Sequence, residues 1–255
     1  MTPREAIELR TRLIIDTDAE IAAILRAALL RIQTLLINQP GAAEQWRLTQ
    51  LDAEIRRILT AAGADAALTV SQQHSAAAAA GTAAVDGAIA AASVRLVLPR
   101  ISSLQLEAMR EFTTTKISGI GLEAANRVNT QLGLAMVGAQ TPYQAVEAVT
   151  DVLGESTLAR ARAIVHSELA RAYSTASFER MRQAAADIPG LKKKWIKSGK
   201  LHPRENHVAA HGQVRDWDKP FSLGGKITMM YPHHPAAPIG ETINCGCAML
   251  AVVPD

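Results

Sequence analysis

Apolar residues Ile21, Ile24, Leu25, Ala28, Leu29 and Ile32 recur at intervals of three and four, the spacing of one face of an α-helix. The pattern predicts a helix from about Asp18 to Asn38, stopped by Gln39-Pro40-Gly41. A separate start stands ahead of it. In Thr2-Pro3-Arg4-Glu5 a hydroxyl can cap the helix, proline takes the first helical position and glutamate the third. A further helix is expected from about Ala42 to Ala62. Residues 73–95 are mostly Ala, Ser, Gly and Val, including Ala76 to Ala80. They read either as a helix packed through small side chains or as a flexible linker.

Leu96-Val97-Leu98-Pro99 breaks that stretch, and Ser102 or Ser103 can cap a helix running to about Phe112. From Thr115 to Gly138, glycines at 119, 121, 133 and 138 frame short apolar-periodic runs, and Thr141-Pro142 opens a helix ending near Gly154. The most regular amphipathic pattern runs from Leu158 to Gln183, with Leu158, Ala161, Val165, Leu169, Ala172 and Ala176 on one face. His166 borders that face and reads as a satisfied polar residue. Asp187-Ile188-Pro189-Gly190 ends the helical part. Beyond it the period changes to two: Lys194-Trp195-Ile196, Gly212-Gln213-Val214 and Ala248 to Val252 suggest short strands joined by long loops rich in Pro and Gly. The expected fold class is therefore α+β. A long, mainly α-helical region (1–188) precedes a small, loop-rich α+β domain (189–255).

Composition agrees with close helix packing. Of 255 residues 48% are hydrophobic but only 4% aromatic, and alanine fills much of the remainder. No apolar run approaches the roughly 18 to 20 residues needed to span a bilayer. The first residues lack the pattern of a signal peptide, so a reducing cytoplasm with free thiols is expected. The net charge of +3 is unevenly placed. From Pro189 onward there are nine Lys and Arg against five Asp and Glu, whereas 18 and 19 precede it.

The tail also concentrates the chemistry, with both cysteines (Cys245, Cys247), five of seven histidines and two of three tryptophans. In an extended segment, residues two apart project to the same side with Cα atoms roughly 6.6 Å apart. Two thiolates on one tetrahedral zinc sit roughly 3.7 Å apart. Slight inward tilting closes that gap, so Cys245 and Cys247 can chelate a zinc ion, with His207 and either His202 or His211 completing the set. The other reading is that these groups only pack and form hydrogen bonds. His233-His234, between prolines, reads as an exposed rigid loop.

Two enzymatic alternatives stay open. One is a hydrolase with Cys245 or Cys247 as nucleophile and His207 as base. The other is a nuclease or toxin-like effector that sets His207, His211 and Arg204 on a phosphate. A basic run, Lys192, Lys193, Lys194, Lys197, Lys200 and Arg204, reads either as a solvated loop or as a contact for DNA phosphates or an acidic protein surface. Trp195 within it, like Trp217 and Phe221, is expected in the core rather than stacked on a base.

Five blocks in order resemble the C-terminal domain of the phage Mu F-like minor head (head morphogenesis) proteins. They are the helical Arg162-Ala163-Ile164-Val165-His166-Ser167-Glu168, the turn around Trp195, Arg204-x-x-His207-x-x-x-His211-Gly212, Trp217-Asp218-Lys219-Pro220-Phe221, and Tyr231-Pro232 followed by Asn244-Cys245-Gly246-Cys247. The likeness covers about residues 140–255. The chain departs from the pattern at Lys200, where the family often has Asp, and at Gly246, where it often has Arg. The resemblance implies a non-enzymatic minor capsid or head morphogenesis protein of a tailed phage or prophage. Its expected partners are portal and capsid proteins and double-stranded DNA, with several copies per particle. It is expected in the virion, and in the host cytoplasm during assembly.

Overall fold

A computed structural model of the chain describes residues 1–37, 45–224 and 226–254. Five helices come first: α1 (Pro3–Ile37), α2 (Gln45–Ala91), α3 (Ser103–Met136), α4 (Pro142–Leu153) and α5 (Glu155–Ala184). The tail holds β1 (Lys192–Ile196), α6 (Glu205–Ala209), β2 (Val214–Asp216), β3 (Phe221–Ser222), β4 (Thr228–Met229), α7 (Ile239–Thr242) and β5 (Ala248–Val252). The fold is α+β as expected, with the strands confined to the C-terminal part. Among the described residues no helix is long and apolar enough to cross a membrane.

The helices are fewer and longer than the pattern suggests. The start at Thr2 and the periodic run from Asp18 form one helix, because nothing between them interrupts the backbone ladder. Thr2 caps it: its Oγ1 accepts the Glu5 N–H, and Glu5 Oε2 accepts the Thr2 N–H at 2.8 Å. The expected stop at Gln39-Pro40-Gly41 lies outside the described residues. The alanine-rich stretch is helical and continues the preceding element as α2, so the linker alternative is set aside. α3 likewise runs through Gly119, Gly121 and Gly133. Thr141 opens α4 with a reciprocal capping box to Gln144.

Two compact units result. One comprises Thr17–Ser71 and Glu111–Ile164, and its regular elements among the described residues are all helices. Its core joins Ile32 and Leu36 of α1, Ile55 and Leu59 of α2, Val128 and Leu132 of α3, and Val149 and Leu153 of α4. Small residues bring the backbones close. A Cβ on Gly121 would fall 2.2 Å from the Leu59 carbonyl oxygen, so only glycine fits there.

The other unit comprises Met1–Asp16, Gln72–Arg110 and Val165–Asp255. The expected boundary at 188/189 is therefore not where the compact units divide. The reason is burial: the tail's strands are too short to cover their own apolar face. Trp195, Phe221, Met229 and Met249 instead share a core with Val85 and Ile89 of α2 and Met181 and Ala184 of α5. Within this unit a three-stranded antiparallel sheet has the order β2-β1-β5, with Trp195 opposite Met249 and Lys193 opposite Ala251 and Arg215. β3 and β4 form a separate pair. β2 starts later than the alternation suggests, since Gly212 holds a left-handed φ of 82° that ends the preceding turn.

Candidate metal centre

Three short elements position the site. α6, a single turn, carries His207; α7 carries Glu241; and the turn from Thr242 to Cys247 leads into β5. Asn244 takes a left-handed φ of 51°, and its N–H donates to Ser167 Oγ of α5 at 3.1 Å. The Cys245 N–H donates to the Thr242 carbonyl, and the Cys247 N–H donates to Cys245 Sγ at 3.4 Å. That turn folds both thiols inward. His207 Nδ1 lies 3.4 Å from Cys245 Sγ and 3.5 Å from Cys247 Sγ.

The three ligand atoms all lie within 4.8 Å of one another, and the residues are 2%, 5% and 2% exposed for His207, Cys245 and Cys247. The donors fit a soft, tetrahedral ion, because thiolate plus imidazole is the ligand set of zinc rather than of magnesium or calcium. Spacings near 3.5 Å are also what two ligands on one such ion require, given metal–ligand bonds of about 2.0 to 2.3 Å.

The surroundings fit as well. His207 Nε2 lies 2.7 Å from Glu241 Oε2, which also accepts from Asn206 Nδ2 at 3.0 Å. A carboxylate on the outer nitrogen fixes the tautomer that offers Nδ1 to a metal. Trp195 meets the His207 ring edge-on at 5.5 Å and Phe221 at 5.2 Å, closing the core side of the site. From α1, Arg10 donates Nη1 to the Cys247 carbonyl at 2.9 Å and Nη2 to the Gly246 carbonyl at 2.8 Å, while lying over the Tyr173 ring.

These contacts set the ionisation of the group. The Cys247 thiol is brought down to about 7. Its hydrogen bond with Cys245 lowers it most, burial opposes, and the Ser198 backbone, Arg10 and the Trp195 indole N–H assist. That indole N–H is buried and, among the described residues, has no acceptor at hydrogen-bond distance. For His207, burial favours the neutral ring, but contacts with Cys245 and Glu241 outweigh it and raise the pKa. Burial raises Glu241, and Asn206, His207 and Arg204 more than reverse it.

Of the expected ligands, His207, Cys245 and Cys247 converge, and His202 and His211 do not join them. Both are exposed; His211 instead accepts the Lys197 N–H on its Nδ1 at 3.2 Å, tying the loop after β1. His233 is buried at 0% exposure with φ at 67°, so the exposed loop expected for it is corrected.

The basic run is split by the strand's period of two. Lys193 shares the inward face with Trp195, is 0% exposed, and donates Nζ to the Met230 carbonyl at 2.7 Å between the rings of Phe178 and Phe221. It cannot reach a phosphate. Lys200 Nζ donates to the Asn244 carbonyl, and Arg204 Nη2 to the Ile243 carbonyl at 2.8 Å. These two cations brace the cysteine turn. Lys192 and Lys197 are exposed and Lys194 half-buried. Trp195 and Phe221 are core residues, as expected, whereas Trp217 is only half-buried and lies outside the core.

Arg10 and Glu241 were not legible as site residues. A single arginine on an amphipathic helix and a lone glutamate between two loops both read as solvated charges. Comparison with known proteins finds no match: no family model fits the chain, and neither a curated protein nor a solved structure resembles it.

Proposed function

We propose that the chain is a head morphogenesis protein of the Mu F-like kind, a non-enzymatic minor capsid component of a tailed phage whose C-terminal module is held by a structural zinc ion. The observation that carries the reading is that blocks far apart in sequence meet at one centre. Trp195 meets the rings of both His207 and Phe221, His207 meets the thiols of the Asn244–Cys247 turn, and Ser167 of the helical block holds Asn244. A chance likeness of strings gives no reason for the blocks to converge.

The two departures from the family pattern also support it, because they are neighbours. A Cβ on Gly246 would lie 2.8 Å from Ser198 Cβ and 3.4 Å from Lys200 Cε. Lys200 thus brings a cation to the turn from the loop, where the family often has one on the turn itself. Zinc at His207, Cys245 and Cys247 would cross-link α6 to the start of β5, and binding energy of this kind is folding energy. Portal and capsid proteins are the expected partners, with DNA met through Lys192, Lys194 and Lys197, and the virion is the expected location. A nuclease would need His207 presented to a phosphate, whereas it is buried against thiols and a carboxylate.

Metal analysis of protein purified without chelator or affinity metal tests the module, with about one zinc per chain expected. Absence of metal, with a melting curve unmoved by EDTA, overturns the zinc. Co-purification with portal and capsid proteins from infected cells tests the role. An intact, zinc-loaded chain that associates with neither overturns it.

A further inference from the structure

A cleft of about 410 Å³ adjoins the metal centre within the tail-bearing unit. Ile7, Ile14 and Ile15 of α1 and Ile196 of β1 give it an apolar lining, and Ile15 is 57% exposed. Cys245, Gly246 and Arg10 line it too, so it reaches the centre on the Cys245 side. Lys197 and Lys200 add positive charge to its wall.

Two features of this cleft are incomplete. Among the described residues three ligand atoms come together, whereas zinc takes four, and three protein ligands leave one position for an outside group. Arg10 is 4% exposed; both Nη atoms are used on carbonyls, yet its Nε–H has no partner among the described residues. The ionisable groups that act on its charge are Tyr173, Cys245 and Cys247, with no carboxylate among them. A buried guanidinium keeps its charge, so the site calls for an anion. Zinc with two thiolates and a neutral imidazole is itself uncharged and does not supply one.

We propose that the cleft binds an aliphatic monocarboxylate, whose head group completes the metal's ligand set beside the Arg10 Nε–H and whose chain lies on the isoleucines. The inference rests on the metal reading above. A carboxylate supplies the hard oxygen that zinc accepts and the charge that Arg10 lacks, and the apolar walls select a hydrocarbon tail over acetate.

The test uses full-length protein loaded with cobalt(II), whose visible spectrum reports its ligands. Hexanoate should change the spectrum saturably, at a concentration at least tenfold below acetate, and hexanol should not change it. N-acetyl-Ala-Leu, as free acid and as amide, run beside hexanoate shows whether a chain terminus or a free acid is the better source. Ile15→Glu should raise the hexanoate midpoint more than tenfold with cobalt still bound. Arg10→Met should do the same for both acids. A cobalt spectrum that stays unchanged with hexanoate and with acetate overturns the inference and leaves the metal site standing. Equal midpoints for hexanoate and acetate overturn the apolar half. Failure to bind cobalt at all overturns both the inference and the metal reading.

Discussion

Nε2 of His207 lies 2.7 Å from Oε2 of Glu241, on the side of the ring opposite the two thiols. The carboxylate thereby decides which nitrogen faces the thiols, where a metal would sit, and holds the ring in its plane. Outer partners of this kind are worth roughly 10- to 100-fold in metal affinity. Glu241→Gln keeps the shape but removes the charge, so zinc affinity measured by chelator competition should fall by about that factor. Unchanged affinity would mean that packing by Trp195 alone orients His207.

The fate of the basic run changes what DNA binding should look like. If all six cations met phosphates, log affinity would fall with log salt at a slope of about −5, at roughly 0.9 per contact. With Lys193 buried and Lys200 and Arg204 spent on carbonyls, Lys192, Lys194 and Lys197 remain, and the slope should be about −3. Replacing these three with alanine should abolish retention on DNA at low salt and leave the melting temperature within a few degrees. A slope near −5, or retention surviving the triple change, would assign the contact elsewhere on the chain.

Much of this was readable from the chain, and the unread parts share a cause. Helical periodicity locates α4 and α5 well because Pro142, Gly154 and Pro189 punctuate them. α1, α2 and α3 were divided too finely, since an isolated glycine or a run of alanines weakens a pattern without breaking a helix. The candidate ligands His207, Cys245 and Cys247 were legible by residue type and spacing. Arg10 was not, because its partner carbonyls are 236 and 237 residues away and backbone acceptors leave no mark in the sequence. Lys193 is a subtler case. The alternation with Trp195 places it on the inward face, but three consecutive lysines look like a single solvated patch.

His74 should govern the acid limb of stability. Burial brings its pKa down from 6.5 to about 4, with Glu168 opposing and Arg110 assisting, and its Nε2 has no hydrogen-bond partner among the described residues. Between those values the unfolded chain holds a proton that the folded one refuses. Stability is therefore complete above pH 6.5 and declines as pH falls towards 4. The loss reaches about 3 kcal/mol at 1.36 kcal/mol per unit. His74→Leu should flatten this limb in urea titrations at pH 4 to 7. An equally steep limb in the variant would assign the loss to other groups.

Two glycines of α3 should respond to the same change with opposite signs. At Gly119 an added Cβ meets nothing within 4 Å, so alanine there gains only helix propensity, up to about 1 kcal/mol. At Gly121, two residues on, the Cβ would sit 2.2 Å from the Leu59 carbonyl oxygen and 3.3 Å from Gly63 Cα. Both obstacles are backbone, which no rotamer change can move aside. α3 must then separate from α2, loosening Ala124, Ala125 and Val128 from Ile55 and Leu59 in the helical unit's core. Overpacking of this kind costs about 1 to 3 kcal/mol, more than the propensity gained. Urea denaturation should therefore show Gly119→Ala at or above the parent midpoint and Gly121→Ala below it. A gain at both sites would mean that the two helices pack further apart in solution than the 2.2 Å approach requires.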